Sequence, residues 1–178
     1  MRSGAAFFAL LAFLLLYQDT KQKPNIIYKL EIKNINSIVL IMSIKLIKQE
    51  DEFGCGVACV AVLLGITYRQ ALKLFDDGYL KAKTKGFLCK EICFALNKLG
   101  KDYKYKYIKS RLKRKIYQSA TIVFIKKSKK YPANHYLLRT ENRWLDPWMN
   151  LSKDKNIKNA KAGLRKRLPG RTIYYLQE

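Results

Sequence analysis

A single histidine, His135, occurs in 178 residues, and only 13 Asp and Glu stand against 36 Lys and Arg. With one imidazole in the chain, any thiol–imidazole chemistry has one possible base. The shortage of acids leaves a formal charge of +23, a surface that attracts nucleic acid, acidic peptides or anionic lipid. Cysteines are also few. Cys55, Cys59, Cys89 and Cys93 form two C-x-x-x-C pairs, and residues four apart share a helix face. That spacing does not suit a secreted disulfide framework, and the C-x-x-C knuckle of a zinc site is missing. No helix-turn-helix spacing, zinc knuckle or RNA-binding aromatic motif accompanies the basic residues, which argues against a nucleic-acid reader. No internal repeat is visible.

Long apolar runs are scarce too. Ala5 to Leu16 is the longest, the length of a signal-peptide core and short of the ~20 residues that span a bilayer. No small-x-small cleavage pattern follows it. Residues 1–41 therefore read as a signal-like or anchor extension, or as sequence upstream of a natural start at Met42, with residues 42–178 as the folded domain. The first alternative implies membrane association, the second a cytoplasmic protein.

What is present is an apolar chain with room for a core: 49% of residues are hydrophobic and 12% aromatic. Cys55 to Leu64 is small or apolar on every side and is stopped by Gly65, as in a buried helix. Thr67 and Gln70 form a capping box for a second helix ending near Gly78. A third is expected from Phe87 to Leu99, with Leu88, Ile92, Ala95, Leu96 and Leu99 as its apolar stripe. The period then changes. Tyr103–Tyr107 alternates as a half-buried strand does, Ala120–Ile125 is a continuous apolar strand, and His135–Arg139 pairs with Arg143–Asp146 across a tight turn at Glu141-Asn142. Residues 157–168 read as a short basic helix and Thr172–Leu176 as a last strand. Helices first and antiparallel strands after give an α+β fold, N-terminal helices packed on a C-terminal antiparallel sheet.

Four residues suggest chemistry. A helix N-terminus favours a thiolate through its unsatisfied N–H groups and partial positive charge. Cys55 sits at such a terminus, between Gly54 and Gly56, which leave room for a substrate backbone; Cys59, one turn deeper, does not. Glu50, Asp51 and Glu52 oppose a thiolate there unless they point away. His135 is the base for Cys55. The turn at Glu141-Asn142 sets Asp146 opposite Leu137, so Asp146 is the diagonal neighbour of His135 on the same face, where a carboxylate orients an imidazole. The side-chain amide of Gln49 and the Cys55 backbone N–H are oxyanion donors. No metal or cofactor is implied.

The pattern Gln49-x5-Cys55-Gly56-x-Ala58-Cys59, the Gly65-ended helix, Lys85-Gly86 before the third helix, the apolar strand before His135-Tyr136, and Asp146-Pro147 resemble the peptidase C39 family over about residues 44–150. The resemblance implies a papain-like cysteine peptidase fold, with Cys55 as nucleophile, His135 as base, Asp146 as its orienting partner and Gln49 as oxyanion donor. It also implies a peptide substrate, typically a leader cut after a double glycine, and in that family the domain often precedes a bacteriocin-exporting transporter. The chain departs from the pattern in having Gly54 where the family usually carries Asp, in a short His-to-Asp segment, and in lacking membrane spans up to Glu178. The basic segments Arg111–Lys115, Lys126–Lys130 and Arg165–Arg167 have no counterpart in the motif and point to an acidic or membrane-surface partner. Three readings follow: a stand-alone cysteine peptidase, an inactive fold that binds leader-like peptides, and a basic nucleic-acid-binding protein.

Overall fold

Apolar side chains on every face commit Cys55–Leu64 to a buried helix, and this helix, α1, is the centre of the molecule's helical layer. The computed structural model describes residues 45–109, 114–128 and 132–178. The extension 1–41, Met42, residues 111–113 of the basic segment Arg111–Lys115 and Lys129 and Lys130 of the segment Lys126–Lys130 lie outside the described residues. Gly65 ends α1 in the left-handed conformation (φ 65°), its N–H closing on the carbonyls of Ala61 and Val62. The Thr67–Gln70 capping box starts α2 (Tyr68–Leu72).

The next helix was not expected. The chain does not stop at Gly78; it restarts there as α3 (Gly78–Thr84), after Asp77 takes the left-handed conformation. Gly78 is a packing glycine, since a Cβ there would lie 2.2 Å from the Leu72 carbonyl oxygen. In α4 (Cys89–Asn97) the buried stripe is Cys89, Ile92, Cys93 and Leu96, joined by Ala95. Leu88 and Leu99, read as part of the stripe, are exposed. Leu88 is the N-cap and Leu99 lies past the helix end, so neither follows the helical period. Lys81 of α3 pairs with Glu91 of α4 at 2.7 Å.

The strands are β1 (Lys104–Tyr107), β2 (Ile122–Ile125), β3 (His135–Arg139), β4 (Trp144–Asp146), β5 (Gly163–Arg165) and β6 (Thr172–Gln177). They form one sheet in the order β1-β6-β2-β3-β4-β5, with every pairing antiparallel. The fold is therefore α+β, helices first and antiparallel sheet after. Strand alternation splits the apolar residues into two cores. Ile122, Tyr136, Leu138, Leu145 and Leu176 join the helices, while Val123, Ile125, Leu137, Trp144 and Tyr175 form a second cluster with Trp148 and Leu151.

Two elements differ from the sequence pattern. All four residues of β1 are exposed; it is an edge strand, and Lys104 and Lys106 on an edge discourage pairing with another chain. Residues 157–168 are not a helix. A short 3-10 turn (Ile157–Asn159) leads into β5, which pairs with β4. That run has no apolar stripe to hold a helix on the core, whereas the free edge of β4 offers a ladder of hydrogen bonds. Among the described residues no helix is long and apolar enough to cross a membrane.

Candidate active site

Two segments meet at the mouth of α1. The first runs into the helix from Gln49, whose backbone N–H donates to the Pro147 carbonyl at 3.2 Å. That bond ties the approach to Cys55 to the residue that follows Asp146. Gln49 is buried, and its side-chain nitrogen donates to the carbonyls of Asp51 (3.1 Å) and Glu52 (3.0 Å). The amide thus braces the turn before the helix, and the oxyanion role read for Gln49 requires one of its N–H groups to turn away from those carbonyls.

The acids of that turn are accounted for. Glu50 is bonded to Arg69 at 2.8 Å, Asp51 takes the Tyr68 hydroxyl at 3.1 Å, and Glu52 is exposed. The glycines around the thiol serve packing and do not hold open space for a substrate. A Cβ on Gly54 would lie 1.8 Å from the Tyr68 hydroxyl oxygen, and one on Gly56 would lie 2.6 Å from Ile92 Cδ1. Gly54→Ala is therefore expected to destabilise the protein by about 1–3 kcal/mol, read as a lower urea midpoint. Tyr68→Phe in the same chain should recover part of the loss by shortening the obstructing ring. An unchanged midpoint in Gly54→Ala would show that Tyr68 moves aside freely.

The second segment is the β3–β4 hairpin. Leu138 pairs with Leu145 and Arg139 with Trp144, the register expected from a turn at Glu141-Asn142. His135 and Asp146 consequently meet: His135 Nε2 lies 2.8 Å from Asp146 Oδ1, and both side chains are buried. An ionised carboxylate has no proton to give, so Nε2 is the donor. Cys55 acts on His135 as a charge and hydrogen-bonding neighbour, and with Nε2 committed to Asp146 the nitrogen left for a thiol is Nδ1. Cys55 retains 8% of its surface, against 2% for His135 and none for Asp146. Cys55 is thus the residue of the three nearest to solvent.

Electrostatics follow from this closeness. Burial pulls the His135 imidazolium down, but its Coulombic interaction with Cys55 and its bond to the Asp146 carboxylate outweigh it and push His135 up to about 10. Burial pushes Asp146 up, and its bonds from His135 and Arg165 hold it down to about 2. For the other thiols burial is the largest effect. Burial raises Cys59 well above its ordinary value, Cys93 to about 12, and Cys89, which touches the Tyr136 hydroxyl at 3.4 Å, by less. All four cysteines are free.

Sequence reasoning missed one residue at this site. Arg165 Nε donates to Asp146 Oδ2 at 2.5 Å, while its Nη2 donates to the Met149 carbonyl at 2.6 Å. The Trp148 backbone N–H donates to Asp146 Oδ1 at 2.9 Å. In the sequence Arg165 is one of the basic segment Arg165–Arg167, which points to an acidic or membrane-surface partner. Only the pairing of β5 with β4, in which Asp146 faces Gly163 and Trp144 faces Arg165, makes it the diagonal neighbour of the carboxylate.

No protein-family model matches the chain, and no curated protein matches it in sequence. A similar solved structure is the peptidase domain of Streptococcus ComA, described as a bi-functional ABC transporter involved in a quorum-sensing pathway. The similarity has 18% identity and a TM-score of 0.43, and covers 76% of this chain and 97% of that one.

Proposed function

We propose that this protein is a cysteine peptidase of papain-like, C39-type architecture that hydrolyses a peptide bond. The observation that carries the reading is the buried His135–Asp146 pair bonded through Nε2, on a ring that also responds to Cys55. In the resting state the Cys55 proton resides on His135, giving a thiolate at a helix N-terminus beside an imidazolium. The sulfur bonds to the substrate carbonyl carbon, and the oxyanion is held by the Cys55 backbone N–H and by a Gln49 amide N–H swung from the Asp51–Glu52 carbonyls. The C–N bond then breaks, and the leaving amine takes the proton from His135. A thioester remains. His135, now neutral, takes a proton from water as its oxygen attacks the thioester, and the carboxylic acid product and the thiolate separate. Asp146 holds the ring in one orientation throughout and stabilises its charged form. The +23 charge of the chain suits a peptide with acidic residues.

Alkylation tests the resting ion pair. Iodoacetamide should label Cys55 near neutral pH at least about tenfold faster than free cysteine, since a free thiol is only a few per cent thiolate there. His135→Ala should return the rate to that of an ordinary thiol. Labelling no faster than free cysteine, or indifferent to His135, would refute the proposal.

A further inference from the structure

Resting on the peptidase reading, we infer that Arg165 is a positioning residue of the site, anchored at two points so that it locks the Asp146 carboxylate in its ionised state and in the orientation that presents Oδ1 to His135. Asp146 is entirely buried, and a carboxylate removed from water needs charged or hydrogen-bonded partners on both oxygens. Oδ1 receives His135 Nε2 and the Trp148 N–H; Oδ2 receives Arg165. During turnover the His135 partner changes. When the imidazolium gives its proton to the leaving amine, it stops compensating the carboxylate, and Arg165 is a cation that stays bonded to it. An arginine cannot give up its proton near neutral pH, so this compensation is constant through the cycle.

The anchoring also defines direction. Arg165 Nε points to Asp146 and Nη2 to the Met149 carbonyl, beyond the end of β4. A planar guanidinium bound at two nitrogens cannot rotate about the carboxylate as an ammonium can. With Oδ2 pinned and Oδ1 accepting the Trp148 N–H, the carboxylate has one orientation, and the imidazole inherits it. Among the described residues, the charged and titratable groups that act on the carboxylate are His135 from β3 and Arg165 from β5, with Cys59 from α1 in electrostatic reach of it and Cys55 in reach of the His135 ring.

The expected signature is a pH effect that a purely structural arginine would not produce. Without Arg165, burial acts on Asp146 with less opposition, so the carboxyl takes up its proton at a higher pH. Protonated Asp146 no longer supports the imidazolium. In Arg165→Met the acid limb of Cys55 alkylation by iodoacetamide should therefore move up by about one pH unit or more. The alkaline limb should stay or move up, because a positive charge has left the neighbourhood of the ring. The alkylation rate at the foot of the acid limb falls about tenfold. Arg165→Lys keeps the charge and should leave the acid limb near the wild-type position.

The measurement is alkylation rate against pH on the full chain, with circular dichroism to compare folding. An unchanged acid limb in a folded Arg165→Met protein overturns the role of Arg165 while leaving the reactive Cys55–His135 pair standing. A limb that moves equally in Arg165→Lys and Arg165→Met also overturns it, because charge is then irrelevant. Should Arg165→Met fail to fold, Arg165→Gln, which keeps a donor and removes the charge, takes its place: a raised acid limb supports the role, and an unchanged one refutes it. Wild-type Cys55 reacting as an ordinary thiol would instead remove the underlying peptidase reading, and this role with it.

Discussion

Cys55→Ala and His135→Ala should each reduce peptide cleavage by a factor on the order of 10⁴ or more, with the double variant no worse than either single one. The two residues supply one function between them. Without sulfur no thioester forms, and without the imidazole the sulfur has no neighbour to take its proton and nothing donates to the leaving amine. The assay follows cleavage of a mixed peptide library by mass spectrometry, comparing wild type with the variants. Products that persist in Cys55→Ala at the wild-type rate would assign the cleavage elsewhere. A double variant far weaker than both single ones would mean that the two residues act separately, contrary to the shared function proposed for them.

The second large effect belongs to Asp146. Asp146→Asn should lower turnover by about 10²- to 10⁴-fold, in the range that loss of an orienting carboxylate produces. An asparagine carries no charge to stabilise the imidazolium, and its amide can present N–H groups where His135 Nε2 and Arg165 Nε both need an acceptor. The pH dependence of stability should change in a defined direction. Asp146 is held below its ordinary 3.8, to about 2. Its contribution is fully present above the ordinary carboxylate range and is lost as pH falls through about 2. His135 is raised from 6.5 to about 10. Its contribution is fully present below 6.5 and is lost as pH rises through about 10. Thermal melts of wild type should decline at both ends. In Asp146→Asn the acidic decline should shrink, and the alkaline decline should begin nearer the ordinary imidazole value. Melting curves that match wild type at every pH would contradict this account of the two groups.

Features governed by neighbours in the chain were legible without coordinates. The Thr67–Gln70 capping box, the Gly65 stop and the apolar span of α1 depend on contacts within a turn or two. The β3–β4 register belongs with them, because a two-residue turn at Glu141-Asn142 permits one pairing, and that pairing delivers Asp146 to His135. Where the reading failed, a partner distant in sequence had taken control. Gly78 was read as a helix end, yet its lack of a Cβ is demanded by the Leu72 carbonyl. Gly54 and Gly56 were read as space for a substrate, but Tyr68 and Ile92 occupy that space.

Arg165 shows the same division most plainly. Its own stretch, Gly163-Leu164-Arg165-Lys166-Arg167, contains nothing that separates one basic residue from the next. The choice among them is made when β5 docks on the edge of β4 and sets one guanidinium against a carboxylate that burial has left in need of charge. Residue order alone was sufficient for the helix that carries the thiol and the hairpin that carries the imidazole and carboxylate, since those rest on short-range geometry. Folding was needed to settle which cation attends Asp146, which glycines are compulsory and where the Gln49 amide points, because each depends on atoms that sequence separation keeps apart until the chain is packed.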